Sequence, residues 1–245
     1  MIPKIGIVFR SYAKTPELVS EVVERAITSV KKALDVKVRN VPIFKSIIIA
    51  IPTDYDCGNT ATALFNRIKA EKFSEIIEIF PIDGHHSSEV LNEVMFYLYE
   101  KEIEYGLIVS NKAVSYLTNE TMAQVCDAIN QGAAVAGVRI KELDDVQEVP
   151  IQNTFAAWNL FTLLNFTNGF ESKSEVEEIS PIFHILCWGG FAVVISAKGS
   201  LDVRKSEDGK DRHQEVRDTK RALQEQEAAR LGVTLDFVKA NIIEL

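Results

Sequence analysis

The chain has 245 residues with a net charge of −8, and 47% of its residues are apolar. This size allows one large α/β domain or two small ones, each with a packed core. The negative charge and a pI near 5.2 argue against duplex nucleic acid as the main partner, because phosphate binding needs a basic face. Cys57, Cys126 and Cys187 show no paired spacing, so we expect buried thiols rather than a disulfide framework or a zinc site.

No stretch of the sequence is typical of a targeting or membrane segment. The chain begins with a short apolar run at residues 5–9, without the charged region and long apolar stretch of a signal peptide. The apolar run at 47–51 is far shorter than the roughly 20 residues of a transmembrane helix. We therefore expect a cytoplasmic protein without a transmembrane segment.

Four units of strand, polar loop and helix follow one another from the start of the chain. Apolar runs predict strands at residues 5–9, 45–51, 74–80 and 105–109, and helical periodicity predicts helices at 15–30, 61–69 and 89–101. A further helix of about a dozen residues leads from the fourth strand to an apolar strand at 133–140. Continuous apolar strands are typical of a parallel sheet covered on both faces. The prediction is a Rossmann-like α/β fold with a mostly parallel central sheet and helices on both faces.

The regular alternation ends after Arg139. The later segments are an acidic loop at 141–150, a partly helical stretch at 151–166, a helix at 175–186, a last strand after Gly190, a charged helix at 206–230 and a short, partly helical tail at 235–245. We therefore predict one domain at 1–204 and a charged helical extension at 205–245.

The stretch Gly132-Ala133-Ala134-Val135-Ala136-Gly137-Val138-Arg139-Ile140 resembles a strand of inverting, family-two-like glycosyltransferases with the GT-A fold. That strand reads roughly Gly-Ala-x-Val-x-Gly-x-x-Ile, and the resemblance in order and spacing spans residues 4–195. The family belongs to the nucleotide-diphospho-sugar transferase superfamily. Its preceding strand ends in a short acidic motif that holds a metal and the donor's diphosphate, and the corresponding corner here is Ser110-Asn111-Lys112.

Lys112 stands where the family's motif has an aspartate, and this departure leaves three alternatives. In the family, Mg²⁺ or Mn²⁺ neutralises the leaving diphosphate, so the resemblance implies such a cofactor although the acidic motif is not intact. In the first alternative the ammonium of Lys112, with Asn111 beside it, replaces the metal. In the second, activity has been lost and only binding remains. In the third, the corner is plain surface.

Loops at the ends of the first three strands supply further donor contacts that the resemblance implies. These substrate-binding candidates are Arg10, Ser11, Asp54, Asp56, Asp83 and Gly84. The second loop, TDYDCGNT, resembles the family's Asp-Asp-Gly-Ser-x-Asp-x-Thr segment, which contacts the base and ribose. The alternative for this loop is a helix cap.

Residues 169–179 resemble the family's Gly-Gly-Phe-Asp-Glu … Glu-Asp module, in which one carboxylate deprotonates the acceptor hydroxyl. The resemblance implies Glu177 or Glu178 as this general base, with Trp158 upstream as a substrate contact. The alternative is that acids near a helix N-terminus simply favour the helix dipole.

Arg212 and His213 are candidates for a lid over the diphosphate, with Asp208-Gly209 as its hinge, and a solvated charged helix is the alternative. The resemblance as a whole implies an inverting glycosyltransferase that uses a nucleotide-diphosphate sugar and an unidentified acceptor hydroxyl. The alternative is a non-catalytic binding module with the same fold, which the lysine in the metal motif favours. A nucleotidyltransferase is a weaker third choice, because the loop 10–16 lacks a glycine-rich phosphate cradle.

Overall fold

The structure is a computed structural model that describes residues 2–73, 75–83, 87–111, 113–139, 151, 153–167, 169–171, 177–196 and 210–245. For residues 55, 87, 210–220 and 239 it describes the backbone only.

Strands and helices alternate through the first half of the chain, as the four predicted units require. The strands are β1 (Ile5–Arg10), β2 (Lys37–Val38), β3 (Val41–Pro42), β4 (Phe44–Pro52), β5 (Ile77–Ile82), β6 (Tyr105–Val109), β7 (Val135–Val138), β8 (Phe155–Asn159), β9 (Ala192–Ile195) and β10 (Ile242–Glu244). The helices are α1 (Val19–Asp35), α2 (Thr60–Glu71), α3 (Ser87–Glu100), α4 (Asn119–Asn130), α5 (Leu160–Phe166), α6 (Ile179–Cys187), α7 (Lys210–Leu231) and α8 (Leu235–Ala240).

Within the described residues, eight strands form one sheet in the order β10-β9-β7-β8-β6-β1-β4-β5. β8 runs antiparallel to β6 and β7, and the other neighbouring pairs in this sheet are parallel. The mostly parallel α/β sheet predicted from the sequence is therefore confirmed. β2 and β3 form a separate small hairpin that the sequence analysis did not predict.

The core lies on both faces of this sheet because successive residues of its strands point to opposite sides. In β1, Ile7 and Phe9 pack with α1 and α4 on one face, while Val8 packs with α3 and α6 on the other. Gly106 of β6 lets α3 approach closely, since a Cβ at this position would lie 2.3 Å from Met95 Sδ. Helices on both faces thus hold β1 and β6 at fixed positions in the middle of the sheet.

Two strands lie where the sequence predicted other structure. β8 falls in the stretch 151–166, predicted as partly helical, and β10 falls in the tail, so β9 is not the last strand. Both strands are short, and each is held by distant partners, β6 and β7 for β8 and β9 for β10. The segment after residue 204 therefore contributes an edge strand to the main sheet. The expectation of three buried thiols was also wrong, because Cys187 is exposed.

A polar cluster fixes α7 against α6. Arg230 donates two hydrogen bonds to the carboxylate of Glu227, at 2.5 and 2.9 Å. His184 of α6 lies with its Nε2 2.6 Å from Arg230 Nη2. Glu227 is 7% exposed, and the hydrogen bonds from Arg230 lower the pKa of Glu227 below its usual value despite burial. His184 of α6 thus lies 2.6 Å from Arg230 and 3.6 Å from the buried carboxylate of Glu227, and these contacts attach α7 to α6.

This attachment makes the stability of the fold depend on pH. Because the pKa of Glu227 is lowered in the folded state, its ionised carboxylate stabilises the fold at pH values above the unfolded-state pKa of about 4.3. This contribution is lost as the pH falls through the folded-state pKa. We expect Glu227→Gln to lower the free energy of unfolding at pH 7 by about 1–3 kcal/mol. The difference from wild type should shrink below about pH 4, and urea denaturation at several pH values measures it.

Glu225→Gln is the matched control, because Glu225 lies on the same helix in an exposed pair with Arg221. It should change the free energy of unfolding by less than about 0.5 kcal/mol. Equal losses in the two variants, or a loss for Glu227→Gln that does not change with pH, would contradict the role of this cluster.

Candidate functional site at the carboxyl edge of the sheet

The carboxyl ends of β6, β1, β4 and β5 meet at one edge of the sheet, and most of the predicted site residues follow them. The chain runs outward from β1 to β4 and β5, then returns to β6 on the other side of β1. Phe9 of β1 pairs with Val109 of β6, so the two strands end level with one another. The strand order reverses between β1 and β6, and ligands bind at such reversals in open α/β sheets.

Buried polar atoms lie at this reversal. Ser11 follows β1 and Ser110 follows β6, and their backbone N–H groups donate to Ala50 O at 2.9 Å and Thr154 O at 2.8 Å. Ser11 Oγ, Ser110 Oγ and Asn111 Oδ1 are buried and have no hydrogen-bond partner among the residues that the structure describes. An unpaired buried polar group costs about 1–3 kcal/mol. Three such atoms at adjacent strand ends indicate a place where a polar ligand binds.

Asn153 adds a fourth polar atom beside them. It lies just before β8, which pairs with β6 so that Phe155 is opposite Val109. Its Oδ1 accepts a hydrogen bond from Trp158 Nε1 at 2.9 Å, while its buried Nδ2 has no partner within the described ranges. The sequence analysis did not select Asn153, because it placed this stretch in a partly helical segment rather than next to β6.

An ion pair joins this edge to the predicted general base. Arg10, the last residue of β1, has its Nη1 3.7 Å from Oε1 of Glu177. Glu177 and Glu178 are both buried, at 7% and 5% exposure, directly before α6. The structure therefore brings Arg10 and Glu177, which are far apart in the sequence, to the same place.

The Asp56 carboxylate is occupied by backbone N–H groups of two loops. Its Oδ1 accepts from Ala13 N at 3.0 Å, and its Oδ2 accepts from Gly58 N and Thr60 N at 3.3 Å each. Thr60 begins α2, so Asp56 caps that helix and ties the loop after β4 to the loop after β1. A helix-capping role therefore describes Asp56, whereas the capping alternative had rested on Asn59 or Thr60, and Asn59 makes no side-chain capping hydrogen bond.

Asp54 and Asp83 are exposed in the neighbouring loops after β4 and β5. Thr53 connects the two loops, because its hydroxyl donates a hydrogen bond to Asp83 Oδ1 and its Oγ1 lies 3.1 Å from Ile82 O. The two carboxylates therefore belong to loops that border the same edge, next to the end of β1.

Trp158 does not belong to this surface. Its side chain is fully buried, its ring meets Phe170 edge to face at 5.0 Å, and its Nε1 donates to Asn153. It is a core residue of β8. Lys112 and Gly84 lie outside the described residues, and so do the side chains of Arg212 and His213, whose backbone forms the first turn of α7.

A clamp between α3 and the segment before α6 also escaped the sequence analysis. The side chain of Asn92 accepts from Phe170 N at 2.8 Å and donates to Phe170 O at 2.9 Å. A Cβ on Gly169 would lie 2.5 Å from Asn92 Oδ1, and its φ of +73° favours glycine. Asn92 therefore holds the loop at Phe170 in place.

The described residues do not fit a divalent metal at this edge. They contain no group of three or more His, Cys, Asp or Glu side chains that could hold a metal ion. At the position of the family's acidic motif, the described donors are the neutral oxygens of Ser110 and Asn111, while Mg²⁺ and Mn²⁺ prefer carboxylates. Asp56 and Glu177, the partly or fully buried carboxylates nearest the strand ends in sequence, already have the partners given above.

Comparison with solved structures identifies the architecture. A mannosyltransferase from Pyrobaculum calidifontis in complex with GDP-Man and Mn²⁺ superposes with a TM-score of 0.61 at 12% identity, covering 98% of this chain and 73% of that one. The chain has a GT-A-like fold. A 4-diphosphocytidyl-2C-methyl-D-erythritol synthase from Anaerococcus prevotii gives a TM-score of 0.54 at 11% identity, covering 91% and 96% of the two chains.

A cytidylyltransferase from Leptospira borgpetersenii shares the GT-A-like fold with a TM-score of 0.51 at 10% identity, over 80% of this chain and 77% of that one. No protein-family model and no curated protein sequence matches the chain. At these identities the structural similarity establishes the fold, so the function has to be argued from the site itself.

The opposite edge of the sheet, at the amino end of β6, is different. A depression of about 260 Å³ lies there, lined by Tyr99, Glu102, Ile103, Glu104, Asn159 and Phe161. In the part of the chain that the structure describes, no helix is long and apolar enough to span a membrane.

The unpaired hydroxyls lead to a stability prediction. Ser11→Ala and Ser110→Ala remove buried oxygens without a described partner, so each should leave the free energy of unfolding unchanged or raise it by up to about 1–2 kcal/mol. Ser180→Ala is the matched control, since Ser180 Oγ donates to Glu171 Oε1 at 3.0 Å, and it should lose about 1 kcal/mol. Chemical denaturation of the ligand-free protein measures all three. Losses at Ser11 and Ser110 as large as that at Ser180 would contradict this description of the site.

Proposed function

We propose that the chain binds a nucleotide-diphosphate sugar at the carboxyl ends of β1 and β6 and transfers the sugar, with inversion, to an acceptor hydroxyl. The observation that carries the proposal is the group of buried polar atoms on Ser11, Ser110 and Asn111, unpartnered among the described residues and located where the strand order reverses. A protein does not retain such atoms for stability. The GT-A-like fold of a mannosyltransferase bound to GDP-Man supports this choice of ligand.

The proposed contacts follow the order of the strands along the edge. Ser11, Ser110 and Asn111 hydrogen-bond the donor where β1 and β6 end, and Arg10 faces its diphosphate. Asp54 and Asp83, exposed in the loops beyond β4 and β5, contact the ribose and base. Asp56 shapes the loop rather than touching the ligand.

Lys112, Gly84, Arg212 and His213 remain proposed contacts on the strength of the family resemblance alone. Trp158 is left out of the proposed site, because its side chain is fully buried in the core.

The chemistry assigned to the site is a single displacement. The acceptor oxygen attacks the anomeric carbon, the bond from that carbon to the diphosphate oxygen breaks, and the diphosphate leaves with the electron pair. A carboxylate accepts the proton of the acceptor hydroxyl. We favour Glu177 of the two glutamates, because its contact with Arg10 at the end of β1 supports a position next to the proposed donor site.

The alternative is binding without transfer. Two observations favour it: Lys112 stands where the family's acidic motif has an aspartate, and the described residues contain no metal-binding group. The two functions differ in a direct way, since a binding module retains affinity for the donor and releases no nucleoside diphosphate in the presence of acceptors.

Donor binding is tested by thermal unfolding with a panel of UDP-, GDP- and CDP-sugars. At least one should raise the melting temperature, by an amount corresponding to about 2.7 kcal/mol at a hundred times its Kd. Arg10→Gln should abolish most of this rise. Arg25→Gln, which removes an exposed pair with Glu21 on α1, should retain it. A flat response of the wild type to every nucleotide sugar would overturn the proposal.

Catalysis is tested by the release of nucleoside diphosphate once a donor is known. Glu177→Gln should lower the rate of transfer by about 10²–10⁴-fold, the usual contribution of a general base, while the Kd for the donor does not rise. A wild-type protein that binds donor but transfers no sugar to any member of an acceptor panel would support the binding module instead. Full activity in Glu177→Gln would remove Glu177 from the mechanism.

A further inference from the structure

The ion pair between Arg10 and Glu177 is asymmetric. The separation of 3.7 Å between Arg10 Nη1 and Glu177 Oε1 is well above the roughly 2.7–2.9 Å of a charge-assisted hydrogen bond. The Arg10 side chain is 28% exposed, whereas that of Glu177 is 9% exposed. The cation therefore presents part of its surface to an incoming anion, while the carboxylate is enclosed. A pair with this geometry is held loosely, and its cation is the more accessible of the two groups.

We propose that Arg10 exchanges partners when the donor binds: the diphosphate takes the guanidinium from Glu177, without a divalent metal, and Glu177 is thereby released to accept the proton of the acceptor hydroxyl. This inference rests on the proposed function. It makes donor binding the event that frees the base, and it assigns Arg10 a positioning role toward Glu177 in addition to its contact with phosphate.

The lack of fit for a metal points to Arg10 as the cation that receives the diphosphate. The described residues hold no group of carboxylates and histidines for Mg²⁺ or Mn²⁺. A guanidinium matches the geometry of phosphate and binds it through two parallel hydrogen bonds. Ser11 and Ser110, on the strand ends next to Arg10, have hydroxyls without described partners that can donate to phosphate oxygens. Among the described residues the site thus offers the cation of Arg10 together with neutral donors, which suit an anion better than a metal.

The consequence for Glu177 follows from its burial. A buried carboxylate that loses its cation has to find another hydrogen-bond donor. The acceptor hydroxyl is a hydrogen-bond donor that can take the place of Arg10 beside Glu177. In this proposal the acceptor therefore binds productively after the nucleotide sugar.

The test is calorimetric titration of inorganic pyrophosphate into the full chain in the presence of EDTA. The wild type should bind pyrophosphate without metal, and Arg10→Gln should weaken binding by about tenfold or more. Glu177→Gln should strengthen binding, by about threefold or more, because the competing carboxylate is gone. In the double variant the gain from Glu177→Gln should vanish, since there is no guanidinium left to compete for.

Three controls separate this exchange from a general effect of charge or folding. Glu21→Gln removes the acid of an exposed pair with Arg25 and should leave the affinity for pyrophosphate within about twofold. Arg25→Gln removes the base of the same pair and should do the same. Arg10→Lys keeps the cation and should retain part of the binding that Arg10→Gln loses. The melting temperature of each variant without ligand shows that it is folded.

Pyrophosphate binding that requires Mg²⁺ or Mn²⁺, or an affinity that Glu177→Gln leaves unchanged, would overturn the exchange. If nucleotide sugars still bind and react in that case, the proposed function stands and only the exchange fails. If no nucleotide sugar binds while pyrophosphate responds to the variants as expected, the proposed function fails and the site remains a metal-free diphosphate site.

Discussion

Buried polar groups need hydrogen-bond partners, and this requirement is the constraint on which the candidate site depends. β1 and β6 are covered on both faces, so their backbone and apolar side chains are satisfied inside the domain. Directly beyond them the chain becomes polar, and one side-chain oxygen of each of Ser11, Ser110 and Asn111 is buried without a partner among the described residues. In the proposed function a ligand supplies the missing partners and offsets the cost of burying these atoms.

The second half of the chain holds the acid that faces this edge. Glu177 precedes α6, and His184 of α6 packs against Arg230 and Glu227 of α7. Earlier in the chain, the Asn92 clamp holds Phe170. α7 in turn leads to α8 and to β10, which closes one edge of the same sheet. The position of one carboxylate therefore depends on packing that extends to the C-terminal strand. The charged helix α7 therefore has a structural role, since it contacts α6 and leads to the edge strand β10.

Local patterns predicted the first half of the fold well, because each strand is a continuous apolar run and each following helix keeps its own periodicity. β8 and β10 were missed since both are short and each is defined by pairing with strands distant in sequence. The same limit applies to the site. The sequence and the family resemblance placed Arg10, Ser11, Asn111 and Glu177 among the candidates, but the contact of Arg10 with Glu177 depends on the packing of α6. Asp56 is a second example, because an aspartate in this loop suits both ligand binding and helix capping. The three backbone N–H groups that donate to its carboxylate in the structure favour capping.

The central claim is that the ligand binds beyond β1 and β6, and nuclear magnetic resonance of the ¹⁵N-labelled chain tests it most directly. A nucleoside diphosphate is titrated into the protein, and the shifts of the assigned amides are followed. The account predicts saturable shifts of the amides of Arg10, Ser11, Ser110 and Asn111. The amide of Glu177 should shift as well, because Arg10 leaves Glu177 to bind the diphosphate. Shifts confined to the opposite edge, at the depression bordered by Tyr99 and Phe161, or no shifts at all, would contradict it.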